Sequence, residues 1–296
     1  MTRFLEPEMT LAILDQTKCE LGEGPTYDPQ TQTAWWFDIV ARHLYAHPFK
    51  SGKTTRHQLE LMASMLGVVD DNTQMVATEK GLYLRQVDTG TMCLHHPIEA
   101  DNPLTRSNDG RVHPCGAIWI GTMGKNAQNK AGGIYWFFKG ELRLLFPEIT
   151  IPNGICFSPD GSTAYFTDSM INRIMQLPID PKTALPLSEP EVLYDHNSKK
   201  GVVDGAVTDQ GGDIWFACWG ASRLHQLSPR GKMLASHPLP VTQPTCPAFV
   251  GERLDKMIIT SAWQGKADTD AKKGNAGKTL LLDLTFSGKP EPRVVL

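Results

Sequence analysis

The chain has 296 residues, 41% of them hydrophobic and 21% charged, with a formal net charge of −3. That near-neutral balance excludes a general binder of nucleic acid or acidic membrane, which needs a basic excess. No apolar run reaches the length of about eighteen residues that a membrane-spanning helix requires. The opening residues, Met1-Thr2-Arg3-Phe4-Leu5-Glu6-Pro7-Glu8, mix charges and a proline and do not read as a secretory leader. Cys19, Cys93, Cys115, Cys156, Cys218 and Cys246 form no Cys-x-x-Cys pair. They predict reduced, mostly buried thiols and a cytoplasmic protein.

In chain order the pattern is one of short strands. Met9–Leu14 is the first strand-like run. Apolar runs follow at Thr33–Ile39, Met75–Thr78, Ala117–Gly121, Thr163–Thr167, Ile214–Ala217 and Lys256–Thr260, and the last is Thr279–Phe286. Each of the six central runs follows a turn, among them Tyr27-Asp28-Pro29-Gln30, Ser158-Pro159-Asp160-Gly161 and Asp209-Gln210-Gly211-Gly212, whose residues supply the dihedrals of tight hairpins. The first bulky residue after each turn is Trp35, Met75, Trp119, Tyr165, Trp215 and Ile258, at intervals of 40 to 50 residues. Six such repeats predict an all-β fold, a six-bladed β-propeller forming one domain over residues 1–296. Met9–Leu14 is expected to pair near Thr279–Phe286 and close the ring. The polar, lysine-containing stretch Gln264–Lys278 reads as a solvated loop. Trp35, Trp36, Trp119 and Trp215 read as blade core. Trp219 and Trp263 are also expected in the core, with the channel rim as the other reading. His95 and His96 read as a solvated pair on an outer strand or loop.

The innermost strand of each blade lines the central channel, so equivalent positions converge there. Four repeats place an oxygen-bearing residue directly before glycine: Glu23-Gly24, Asp109-Gly110, Asn153-Gly154 and Asp204-Gly205. Repeats two and six depart, with Leu66-Gly67 and Thr245-Cys246. Carboxylates gathered without cations repel one another. A hard divalent ion such as Ca²⁺, Mg²⁺ or Mn²⁺ relieves this and prefers oxygen ligands. The same dipeptides also serve as plain turns. Arg106, just upstream, could hold a carbonyl or hydroxyl with paired N–H donors, or form a surface ion pair.

Leu21-Gly22-Glu23-Gly24-Pro25, Arg106-Ser107-Asn108-Asp109-Gly110, Gly121-Thr122-Met123, Ile151-Pro152-Asn153-Gly154 and Val203-Asp204-Gly205 together resemble the gluconolactonase/regucalcin (senescence marker protein) family. The resemblance runs from about Lys18 to the C-terminus. It implies a six-bladed propeller with one divalent metal ion (Ca, Zn, Mg or Mn) that hydrolyses a small-molecule sugar lactone. It further implies Glu23, Asn153 and Asp204 as metal ligands, Arg106 and Asn108 as substrate-binding residues, and Asp204 as the acid/base group. Strand alternation sends Asn108 and Asp109 to opposite faces, and the resemblance favours Asn108, leaving Asp109 a supporting or turn residue. Animal members carry a glutamate shortly after Gly-Thr-Met where this chain has Asn126, so their substrate preference does not transfer. The alternatives are a non-catalytic calcium-binding or regulatory propeller and a related metal-dependent esterase. A monomer or weak homo-oligomer is expected. No Gly-x-Ser-x-Gly, P-loop, Gly-x-Gly-x-x-Gly or His-Glu-x-x-His motif is present.

Overall fold

The computed structural model describes residues 10–265, 274–284 and 286–296. Six four-stranded antiparallel sheets form a six-bladed β-propeller, and no helix occurs among the described residues. The inner strands of blades 1 to 6 are Gly22–Asp28, Ala63–Val68, Thr105–Val112, Pro152–Phe157, Val202–Thr208 and Pro244–Val250. Each packs against the inner strand of the next blade, and the sixth returns to the first.

Alternation decides the core. Along the second strands, Trp36, Phe37, Trp119, Ile120, Phe216 and Ile258 are almost fully buried and fill the spaces between blades. Trp36 stacks on Tyr45 at 5.5 Å, and Trp119 meets Phe157 of the next blade edge-on at 5.5 Å. Burial of this kind contributes about 25 cal/mol per Å² of apolar surface.

The ring is closed by strand exchange. Thr10–Asp15 forms the outermost strand of blade 6 and pairs antiparallel with Thr279–Asp283, which pairs in turn with Lys256–Ser261. The first and last described strands thus share one sheet, as the sequence predicts. Residues 266–273 of the expected loop Gln264–Lys278, and Met9 of the first expected strand, lie outside the described residues.

The C-terminal segment crosses the far ends of the inner strands. Ser287 O accepts from Gln210 N at 2.8 Å, Val294 N donates to Val68 O at 2.8 Å, and Val295 N donates to Gly116 O at 3.0 Å. From this segment Glu291 pairs with buried Arg111 at 2.7 Å, so this end of the channel is plugged by protein.

Two sequence expectations change. His95 and His96 lie on the outer strand Met92–Pro97 of blade 2, but both rings pack on Phe137 of blade 3, at 5.6 and 5.5 Å, and are half-buried rather than solvated. Trp219 is not core alone: one side of it packs against the blade 1–2 cluster and it also lines the open cavity of the channel.

Candidate active site

The inner strands begin at the open mouth of the channel, and each is irregular near its start. The ladder slips between Glu23 and Thr26, Ser107 and Gly110, Asn153 and Cys156, Val203 and Ala206, and Pro244 and Pro247. In blade 2 it slips between Ala63 and Met65. A bulge breaks strand alternation and re-aims side chains, here toward the channel axis. Gly24 shows why glycine recurs. Its φ is +55°, and a Cβ there would lie 2.0 Å from the Ser64 carbonyl oxygen, a position open only to glycine.

The bulges also set the true register. Glu23 pairs with Phe37 and Asn153 with Thr167, each two residues beyond the first bulky residue of the partner strand. Asp204 follows the Val203–Cys218 pair, and Asn108 follows the Ser107–Thr122 pair. The residue of blade 3 equivalent to Glu23, Asn153 and Asp204 is therefore Asn108, not Asp109. Ser64 and Thr245 occupy the corresponding places in blades 2 and 6, where the sequence pattern pointed to Leu66 for blade 2. Strand alternation fails as the reason for separating Asn108 from Asp109, because both lie in the bulge. They differ in depth instead. Asn108 lines the cavity, while Asp109 is buried below it and accepts from Gly110 N and Ile155 N, both at 2.8 Å.

Glu23, Arg106, Asn108, Asn153 and Asp204 all line one cavity of about 550 Å³, and each is at most 9% exposed. The neutral and cationic groups form a continuous chain. Arg106 Nη1 donates to Ser107 O and Asn108 Oδ1, both at 2.8 Å. Asn108 Nδ2 donates to Pro152 O at 2.9 Å and to Asn153 Oδ1 at 2.8 Å. Asn153 Nδ2 donates to Ser169 Oγ at 3.0 Å, and Ser169 Oγ donates to Val203 O at 2.7 Å. This chain fixes which side of each amide carries oxygen.

The two cavity carboxylates are far less supported. Glu23 Oε2 accepts from Gly24 N at 3.1 Å, and Asp204 is faced by the N–H of Gly205. Neither forms an ion pair among the described residues. Burial, followed by the charge of Asp109, pushes Glu23 up to about 8. Burial and then the charges of Glu23 and Asp109 raise Asp204 well above the usual carboxylate range. Burial raises Asp109 to about 6, opposed by Arg111. Arg106 is held down at about 10 by desolvation, and its Nη1 is directed at Ser107 O and Asn108 Oδ1 rather than at either acid.

This donor set fits a hard divalent ion. It offers two buried carboxylates and an amide oxygen, without sulfur or imidazole, and the carboxylates repel one another for want of a cation. Such an ion would exchange for protons at Glu23 and Asp204.

Sequence reasoning missed Ser64, Ser169 and the Glu79–Lys125 pair. Ser64 donates to Ser107 Oγ at 2.7 Å. Lys125 lines the cavity and pairs with Glu79 at 2.5 Å. Asn126 lies exposed at the cavity mouth. The aspartates ending two second strands carried a readable signal. Asp38 accepts from Glu20 N and Leu21 N, and Asp168 from Thr150 N and Ile151 N, which tethers the loops entering the strands of Glu23 and Asn153. Ser169 follows the second of these.

Comparison with known proteins agrees with this geometry. The profile of the SMP-30/gluconolactonase/LRE-like region matches residues 21–263. The chain is 47% identical over 280 residues to a Rhizobium meliloti protein named "Putative sugar lactone lactonase", covering 94% of this chain and 95% of that one. It is 29% identical over 269 residues to the L-arabinolactonase of Azospirillum brasilense, covering 89% and 88%. Among solved structures, a calcium-binding protein, regucalcin, of Agrobacterium tumefaciens superimposes with a TM-score of 0.94 at 44% identity, covering 96% of this chain and 97% of that one. The chain belongs to the SMP-30/gluconolactonase/LRE-like family.

Proposed function

We propose that the protein hydrolyses a sugar lactone to the open aldonic acid and depends on one divalent metal ion held by Glu23, Asn153 and Asp204. The observation that carries this reading is the convergence of two unpaired buried carboxylates, an oriented amide oxygen and the hydrogen-bonded Arg106–Asn108 pair on one cavity. The names of the similar lactonases support the substrate class. Three protein ligands leave coordination positions for water and substrate, as catalytic metal sites do.

When bound, the ion supplies Lewis-acid polarisation of the lactone carbonyl and lowers the pKa of water. Arg106 and Asn108 hydrogen-bond the ring substituents or the carbonyl of the lactone and orient it. Asp204 accepts the proton of the attacking water and returns it to the ring oxygen as the ester bond opens. Glu23 stays a ligand. Asn153, locked by Ser169, presents oxygen to the channel throughout. The scheme uses no covalent intermediate.

A non-catalytic calcium-binding propeller is the second reading, favoured by the description of the Agrobacterium protein as calcium-binding. Such a role has no use for Arg106 and Asn108 beside the acids. Turnover of D-glucono-1,5-lactone, then of galactono-, xylono- and arabinonolactones, with and without chelator, separates the two. Chelator-sensitive hydrolysis is the expected result. Tight Ca²⁺ binding with no hydrolysis of any lactone would leave only the second reading.

A further inference from the structure

One position in the repeat changes chemistry. The residue of the second strand that pairs with the one just before the channel ligand is Asp38 in blade 1 and Asp168 in blade 4, paired with Gly22 and Pro152. In blade 5 that position, paired with Val203, is Cys218. A soft sulfur replaces an oxygen cap, and it does not stand alone.

His196, Cys218 and His225 are drawn together from the end of blade 4 and two strands of blade 5. One potential ligand atom from each lies within 4.8 Å of the others. Cys218 Sγ is 3.2 Å from His196 Nε2, and both are 3.4 Å from the Lys200 carbonyl oxygen. A tetrahedral zinc ion with N or O ligands at about 2.0–2.1 Å and sulfur at about 2.3 Å sets its ligand atoms about 3.3–3.6 Å apart. Three edges of such a tetrahedron are thus nearly formed, with His225 as the fourth corner. His196 and Cys218 are buried to within 1% of complete, and Phe216 walls the cluster at 5.0 Å from the His225 ring. As a pure hydrogen-bond network the cluster is costly at His225, whose Nδ1 is buried with no hydrogen-bond partner.

We propose that His196, Cys218, His225 and the Lys200 carbonyl form a second metal site, for zinc or a similar borderline-soft divalent ion. It is separate from the channel site, whose donors are all oxygen. Binding displaces the Cys218 thiol proton to solvent and leaves a thiolate ligand. The ion would clasp residues 196–200, which lead into the strand carrying Asp204, and so take the place of the aspartate tether of blades 1 and 4. The site is structural, closed by four protein ligands.

Sulfur makes the site testable apart from the channel. Cobalt(II) titrated into the metal-stripped full-length chain should give a thiolate-to-cobalt charge-transfer absorption that saturates at one equivalent and is displaced by zinc. Cys218→Ser should abolish the band. Cys115→Ser should keep it, although Cys115 also has a histidine neighbour, with His113 Nδ1 at 3.0 Å. His225→Gln, a half-buried position, should weaken cobalt binding at least tenfold. No band in the wild-type chain, or a band that survives Cys218→Ser, would overturn the proposal whatever the stability of the variants. Unchanged affinity in His225→Gln would overturn the ligand set.

Discussion

Replacing Ser169 by alanine removes an oxygen that accepts from Asn153 Nδ2 at 3.0 Å and donates to the Val203 carbonyl at 2.7 Å. Ser169 is only 6% exposed and Asn153 likewise, so water has little access to the groups left behind. An unsatisfied buried amide N–H costs about 1–3 kcal/mol, and the chain should lose stability in that range in a urea titration. The larger consequence is at the site. With one anchor gone, the Asn153 amide is held only through Asn108, and its oxygen no longer has a fixed direction. Loss of a partner that orients a metal ligand lowers metal affinity about 10- to 100-fold, or about 1.4–2.7 kcal/mol. Calorimetric titration of the metal-stripped protein with Ca²⁺ or Mn²⁺ measures this directly. Ser169→Ala should bind in that weakened range, whereas Ser169→Thr, which keeps the hydroxyl, should recover most of the loss. If Ser169→Ala matches wild type in both stability and affinity, the hydrogen-bond chain does not orient Asn153 for a metal.

Three further outcomes are expected. Asp204→Asn should stay inactive on the best lactone even with metal restored at high concentration; full recovery by added metal would make Asp204 a ligand only. Arg106→Ala should raise KM or lower kcat by at least about tenfold, the scale of one charge-assisted hydrogen bond, without changing metal content, and wild-type kinetics would remove Arg106 from substrate binding. The third concerns pH in the ion-free chain. There burial and the charge of Asp109 lift Glu23 from its ordinary 4.5 to about 8, so the folded chain keeps a proton that the unfolded chain releases. That contribution is fully present below about pH 4.5 and is lost as pH rises through about 8. The fall in urea stability between pH 5 and 8 should therefore be steeper in the wild type than in Glu23→Gln, and a saturating divalent ion should remove the difference. Equal slopes without metal would contradict the buried, unpaired state of Glu23.

The blades were legible in the sequence because two local signals repeat together. A turn is followed by a bulky residue that packs between blades, and Trp35, Trp119 and Trp215 mark this as clearly as any motif. The closing strand was legible because a ring needs its first and last runs in one sheet. Glu23, Asn153 and Asp204 were visible through the glycines that their bulges require. Blade 3 misled for the same reason. Glycine there follows Asp109, but the bulge begins at Asn108, and no periodicity in the sequence records where a ladder slips. Ser64 has no glycine after it and left no trace. Ser169 acts through the orientation of another side chain, which depends on contacts between blades. His196, Cys218 and His225 come from separate strands, so their meeting has no fixed spacing to search for.

The most direct measurement is lactone hydrolysis by the purified protein before chelation, after exhaustive chelation, and after return of a single divalent ion. Proton release during opening of each lactone gives the rate. Hydrolysis of at least one aldono-lactone should disappear on chelation and return with the ion, and it should not return in Glu23→Gln/Asp204→Asn. Undiminished hydrolysis by the metal-free wild type, or by that double variant, would contradict a metal-dependent lactonase site built on Glu23, Asn153 and Asp204.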